Sequence, residues 1–264
     1  DGINAVGVFS LAFDPDDEDV LYAAAMDPTA DDDLGDGLYR STDFGRSWHR
    51  VLTAHFPKFR DDGQSGEPPS SQTRWIAFGP TVAGQRTVYV ATHDLGLVSL
   101  REDLISPAGS DPTWSYAGPQ SSDCPLVAGP GSVEINVVHY EPGNDTLWLA
   151  GTYDPVPGET ASEWRAALCY RAGNGVWGNA FAGATWNDPL ETALPQPASQ
   201  ASEVRDVVIH RDSPDHLSIA LGRWGVFESA DHGETWSRVQ GLRVGPIAYQ
   251  GELDEGALDD CWGT

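Results

Sequence analysis

One stretch of this chain occurs twice, and it limits the possible folds more than any other feature. The copies are GLYRSTDFGRSWHRV, residues 37–51, and GVFESADHGETWSRV, residues 225–239. Both contain Ser-x-Asp-x-Gly-x-(Ser/Thr)-Trp between alternating apolar residues. Asp and Ser side chains bond to turn amides, Gly takes the positive-φ position, and Trp buries a large ring against the hairpin. Each copy therefore predicts a β-hairpin closed by its own turn. The matched residues are Ser41, Asp43, Gly45, Ser47 and Trp48, then Ser229, Asp231, Gly233, Thr235 and Trp236.

Aligning the chain on these hairpins shows four repeating units. Their first strands are VFSLAFDP, RWIAFGP, INVVHYEP and DVVIHRDSP, and their second strands are VLYAAAM, TVYVATH, TLWLAGTY and HLSIALGR. A third strand begins at a glycine or small residue, and a fourth carries Trp. In the third unit that strand is either GVWGNAF or ATWNDP. Repeated four-stranded meanders predict an all-β fold, the β-propeller. We expect one propeller over residues 1–264, with blades at about 4–55, 72–118, 132–188 and 203–242 and a partial blade at 243–264.

Composition excludes two classes of partner. The net charge of −25 comes from 40 acidic and 15 basic residues, and Lys58 is the only lysine. This charge repels nucleic acids and anionic lipid, and no apolar run is long enough to insert into a membrane. An acidic surface nearly free of lysine suits a halophilic protein, and a genomic preference for Arg explains it equally well. Cys124, Cys169 and Cys261 allow at most one internal disulfide, and their spacing matches no zinc motif.

The repeated hairpin resembles the Asp-box, or BNR repeat, of sialidase-like β-propellers. Over about residues 4–250 the chain is similar to sialidases, xyloglucanase-like glycoside hydrolases, sortilin-type receptor domains and photosystem II assembly-factor propellers, with WD40/YVTN-like repeats. The Arg-Ile-Pro motif of sialidases is missing from the sequence, which argues against sialidase activity. Xyloglucanase-like enzymes use Asp residues in the funnel, and Tyr22 to Asp27 ahead of Gly37 resembles their first blade. The resemblance makes Asp27 the catalytic candidate.

The resemblance also bears on the ring and its ligand face. Members commonly have six to eight blades, so we expect a processed or partial chain, or a ring completed by another chain; a closed ring of four or five blades is the alternative. Ligands of propellers usually bind where loops join second to third strands. Aligned at those loops are Asp27, His93, Asp94, Tyr153, Asp154, Arg223 and Trp224. Carboxylates, Arg and an aromatic ring could bind a sugar or act as acid and base, although Asp is also a common turn residue.

The first unit contains an acidic insertion, TADDDLGDG. Asp31, Asp33 and Asp36 could provide oxygen ligands for calcium, but the spacing does not match an EF-hand, and a solvated loop explains it as well. No other cofactor is expected. We therefore predict an extracellular or cell-envelope propeller that binds a protein or carbohydrate ligand as a binding module or scaffold. The alternative function is a glycoside hydrolase acting on polysaccharide.

Overall fold

The described residues form four sheets, which are antiparallel except for one parallel pair of strands. The computed structural model describes residues 3, 7–26, 37–51, 73–92, 96–102, 114–120, 123–127, 133–153, 165–187, 203–210, 212–222 and 225–239. These residues contain seventeen strands and no α-helix. None of them therefore forms a helix that could cross a bilayer.

Each sheet is a meander whose consecutive strands pair side by side. The first contains β1 (Gly7–Phe13), β2 (Leu21–Met26), β3 (Gly37–Ser41) and β4 (His49–Val51). The second contains β5 (Thr73–Val82), β6 (Gln85–Thr92), β7 (Leu97–Arg101) and β8 (Ser115–Tyr116). The third contains β9 (Val133–Glu141), β10 (Thr146–Tyr153), β11 (Arg165–Ala172) and β12 (Gly178–Asn179). The fourth contains β14 (Val204–Ile209), β15 (Leu217–Leu221), β16 (Val226–Ser229) and β17 (Thr235–Arg238), with β13 (Thr185–Asn187) at its outer edge.

The strand β13 departs from the meander. It runs parallel to β17, with Trp186 opposite Trp236, although it follows the third sheet in sequence. The fourth strand of the third sheet is β12, within GVWGNAF. Of the two segments that the sequence left open, ATWNDP therefore supplies an extra strand to the fourth sheet. The sequence-based prediction of a third blade at residues 132–188 included β13, because Trp186 follows the third unit directly in the chain. In the structure β13 pairs with the fourth sheet instead.

The sheets stack in chain order through apolar layers. Because side chains alternate along a strand, each sheet presents one apolar set to each neighbour. In β2, Tyr22 and Ala24 pack against the second sheet, whereas Ala23 and Ala25 lie on the opposite face. The first strands of successive sheets contact one another, which places them on the inner side of the stack. This confirms the prediction of an all-β fold built from propeller blades; the four sheets formed by the described residues do not close into a ring.

A disulfide joins Cys124, in the connection between the second and third sheets, to Cys169 in β11. Both cysteines are completely buried in the apolar layer between those sheets. The disulfide therefore attaches the connecting segment to the third sheet, within the apolar layer between the second and third sheets. Cys261 lies outside the described residues.

Candidate functional site

The loops from second to third strands hold most residues that the sequence nominated. Asp27, His93, Asp94, Asp154, Arg223 and Trp224 lie outside the described residues, as do the calcium candidates Asp31, Asp33 and Asp36. Tyr153 is described: it ends β10, pairs with Val133 and Arg165, and is half-buried against the layer between the second and third sheets. Within the described part of the chain, no group of three His, Cys, Asp or Glu side chains is placed to hold a metal ion.

The described site feature closest to these loops is a bulge repeated in every first strand. The register of each first strand against its second strand skips one residue at the same level. In every sheet the second-strand partner just past the skip is an alanine, which shows that the four levels are equivalent. The skipped residues are Phe9, Arg74, Asn136 and Arg205. Because a bulge redirects a side chain at the edge of a sheet, we define these four as the inner rim.

The inner-rim side chains contact neighbours in adjacent blades. The guanidinium of Arg74 lies over the ring of Phe9, 4.5 Å from its centroid. Asn136 Nδ2 donates to Glu203 Oε1 at 3.0 Å, and Glu203 also pairs with Arg205 at 2.6 Å. Arg205 remains 66% exposed. The rim therefore presents an aromatic ring, an amide and two guanidinium groups near the entrance to the loops.

The backbone next to the third bulge requires glycine. A Cβ built on Gly151 would lie 2.0 Å from the carbonyl oxygen of Glu134. No side chain can be accommodated at that distance, so the close approach of β10 to β9 depends on Gly151. The close approach holds Asn136 at the rim.

Our sequence reasoning missed the inner rim because it followed the loops. A signal was nevertheless present in the alignment VFSLAF, TRWIAF, INVVHY and VRDVVI, where the second residue is Phe, Arg, Asn and Arg. Three of the four are polar, and they lie at the same level of consecutive first strands. A polar residue at one level in consecutive inner strands is the pattern expected of a bulge that redirects side chains.

The two repeated turns have one hydrogen-bond pattern. Ser41 Oγ donates to Asp43 Oδ1 at 2.8 Å and accepts from the Gly45 amide at 2.9 Å. The Ser47 amide and hydroxyl donate to the two oxygens of Asp43 at 2.8 and 2.6 Å. The second turn repeats these bonds among Ser229, Asp231, Gly233 and Thr235. Hydrogen bonds from Ser47 lower the pKa of Asp43 to about 2, and those from Thr235 lower the pKa of Asp231. All these donors are used within the turns.

A pair of carboxyl groups lies between the first and second sheets. Arg86, 7% exposed, binds Asp14 and Asp16, and its Nη1 is 3.5 Å from Glu102 Oε2. The Tyr22 hydroxyl donates to Glu102 Oε1 at 3.0 Å. Burial raises the pKa of Glu102, and its hydrogen bond with Asp14 raises it further. Burial opposes ionisation of Asp14 too, but hydrogen bonds from Arg86, the Asp16 amide and Glu102, together with the charge of Arg86, outweigh burial and lower the pKa of Asp14.

Carboxyl groups with pKa values moved in opposite directions are a mark of acid–base sites. Here, however, the side chains of Asp14 and Glu102 are only 8% and 14% exposed. Both carboxyl groups also form ion pairs with Arg86. We therefore assign the pair to the contact between blades.

Comparison with known proteins places this arrangement among propellers. No model of a protein family matches the chain. A xyloglucanase of Paenibacillus sp. is 24% identical over 248 residues, which cover 87% of this chain and 20% of that protein. The crystal structure of the GH74 xyloglucanase of Xanthomonas campestris aligns with a TM-score of 0.54 at 17% identity, over 89% of this chain and 31% of that one. An ancestral GH74 enzyme gives 0.53 at 18% identity, over 90% and 24%. The chain thus spans a third or less of the length of each.

Proposed function

We propose that this chain is an extracytoplasmic β-propeller module that binds a glycan at the face reached by the loops between second and third strands. The observation that carries the proposal is the bulge repeated in all four first strands. It gathers the inner rim of Phe9, Arg74, Asn136 and Arg205 at one level. Aromatic rings pack on the apolar face of a sugar, while amide and guanidinium groups bond to its hydroxyls. The similarity to xyloglucanases favours a polysaccharide over a protein ligand.

The loop residues complete the proposed surface. Tyr153 ends β10 on the same side as the inner rim. We place beside it the aligned loop residues Asp27, His93, Asp94, Asp154, Arg223 and Trp224. In this proposal Trp224 is a stacking platform and the carboxylates accept from sugar hydroxyls.

Two further observations support the class and compartment. The matching side-chain bonds of both turns support assigning them to the Asp-box repeat. The disulfide between Cys124 and Cys169 supports an oxidising compartment, outside the cytoplasm, because such bonds persist where thiols are not kept reduced.

A glycoside hydrolase is the second candidate, and the similarity to xyloglucanases favours it. Hydrolysis requires two carboxyl groups facing each other across a cleft, about 5–9.5 Å apart. The Asp14–Glu102 pair does not meet this requirement, because Arg86 and Tyr22 occupy it. This second candidate therefore rests on loop carboxylates such as Asp27.

The proposal is tested by titrating xyloglucan oligosaccharides in a calorimeter while assaying new reducing ends. Asn136→Ala and Arg205→Gln should weaken binding about tenfold, as expected when a hydrogen bond to a polar ligand group is lost. Arg46→Gln removes an exposed charge from a distant turn and is the matched control. Binding that survives both rim variants would remove the inner rim from the site. Release of reducing ends that stops in Asp27→Asn would support the hydrolase instead.

A further inference from the structure

A groove lies at the opposite end of the blades from the inner rim, between the outer strands of the second and third sheets. Its cavity of about 350 Å³ is lined by Tyr116, Gln120, Arg171, Val176 and Trp177, among others. It adjoins the turn from β11 to β12, whereas the loop from β10 to β11 belongs to the other end. A cavity of this size is within the range of sites for small ligands. We call it the outer groove.

Arg171 occupies the place of the serine in the repeated turns. It pairs with Leu147, as Ser41 pairs with Leu21 and Ser229 pairs with Leu217. In those two turns the serine hydroxyl fastens the turn to itself. In the third sheet the long guanidinium instead reaches over Trp177, with 4.9 Å between Arg171 Cζ and the centroid of the indole. The third sheet thus lacks the serine hydroxyl that bonds to its own turn, and it has at that position a cationic side chain that lines the groove.

The charge of Arg171 has no counter-ion among the described residues. Nη1 donates to the Ala117 carbonyl at 3.3 Å, and Nε is buried without a hydrogen-bond partner. Tyr89 is a second polar contact: burial raises the pKa of its hydroxyl, and the charge of Arg171 and the hydrogen bond with it partly offset this. Among the described residues, Asp145 is the carboxylate that shares this surrounding, because it acts on the same Tyr89 hydroxyl without forming an ion pair with Arg171. The guanidinium can therefore form a charge-assisted pair with a ligand carboxylate.

We propose that the outer groove binds a sugar that carries a carboxylate, a uronate unit. Arg171 binds the carboxylate, for which the guanidinium fork is well suited. Tyr116 donates its hydroxyl proton to the Pro119 carbonyl at 2.6 Å, which fixes its ring at the wall of the groove as a surface for the sugar. Val176, which is 76% exposed, provides apolar surface for the C–H face of the ring. The groove lies apart from the inner rim, so this proposal and the preceding one succeed or fail separately.

The test compares sodium D-glucuronate, D-glucose and sodium acetate as ligands, by calorimetry at constant ionic strength. Glucuronate should bind at least about tenfold more tightly than either, since a charge-assisted hydrogen bond adds to contacts that the sugar ring makes. Arg171→Gln should abolish this preference, while Arg46→Gln, which removes an exposed guanidinium elsewhere, should leave it unchanged.

A second pair of variants keeps the proposal testable if Arg171→Gln fails to fold. Val176→Glu adds a carboxylate at the exposed wall of the groove and should weaken glucuronate binding about tenfold by competing for Arg171. Val82→Glu adds the same charge at another exposed valine, 67% exposed in the turn region of the second sheet, and should have no such effect. Equal binding of glucose and glucuronate, or no effect of Val176→Glu, overturns the proposal. Equal binding of acetate and glucuronate overturns the assignment to a sugar.

Discussion

Removing the tryptophan from each repeated turn separates the contribution of the turn from that of packing between blades. Trp236 is fully buried. It stacks on Trp186, with ring centroids 5.7 Å apart and planes 17° apart, and meets Phe181 edge-on at 6.0 Å. Trp48, at the same place in the first sheet, is half-buried against the small group of Ala23, Ala25 and Tyr39. The two alanine variants delete the same indole from different surroundings.

The expected costs therefore differ. Trp236→Ala empties a closed aromatic site and should lower the free energy of unfolding by about 3–5 kcal/mol. Trp48→Ala removes a ring that keeps part of its surface in water, so we expect about 1–2 kcal/mol in proportion to the smaller apolar area lost. For a chain of this size each kcal/mol shifts Tm by roughly 2–4 °C, which gives a shift of about 6–20 °C against about 2–8 °C.

Urea denaturation followed by circular dichroism measures both values, and calorimetry provides an independent Tm. The comparison is valid where the slope of the unfolding free energy against urea stays unchanged in both variants. Trp236→Phe and Trp48→Phe serve as controls, because they keep an aromatic ring in each site. Equal costs for the two alanine variants, or a larger cost for Trp48→Ala, would refute the reasoning that burial between blades sets the contribution.

Three further predictions concern charge and cross-linking. Ionising Glu102 opposes folding as pH rises through its raised pKa, whereas Asp14, with a lowered pKa, stabilises the fold above its unfolded pKa and loses that contribution as pH falls. Glu102→Gln should therefore raise Tm at neutral pH and Asp14→Asn should lower it; melts from pH 4 to 8 that move both in one direction contradict this. Replacing Cys124 and Cys169 by alanine should cost about 4 kcal/mol, for a sequence separation of 45 residues; a calorimetric Tm unchanged from the parent would exclude that contribution. Urea midpoints should rise from low to molar NaCl, because salt screens the self-repulsion of a net charge of −25; a flat response would show that the repulsion is too weak to matter.

The strand order within blades could be predicted from sequence because it depends on local patterns. Apolar alternation and the two Trp turns identify each hairpin, and strands adjacent in sequence are also neighbours in space. The position of β13 could not be predicted in this way. Its three residues pair with β17 across about fifty positions of chain, and a short apolar segment carries no information about such a distant partner.

The candidate site also has parts that local sequence predicts and parts that it does not. The level of the second-to-third loops follows from the repeat, but the position of loop side chains depends on backbone conformations that breaker residues allow and do not specify. The bulges at Arg74 and Arg205 change the sequence only by a one-residue shift in the apolar alternation of each strand. The outer groove depends on Arg171 replacing a serine, which becomes visible once the register with Leu147 is known. The disulfide partner of Cys169 was likewise one choice among several until the fold brought Cys124 beside it.

The parallel pairing of β13 with β17 has a consequence for assembly and for aggregation. During synthesis β13 is made before the other strands of the fourth sheet. The last strand, β17, can therefore pair on both sides, with β13 and with β16, and does not become an edge strand. An exposed border strand offers its free amides and carbonyls to any other chain, which is how β-proteins join edge to edge. Here Thr185–Asn187 occupies one side of β17, and β16 occupies the other. Among the described residues, the fourth blade therefore presents a three-residue strand at that border, which is short for a template of a further strand.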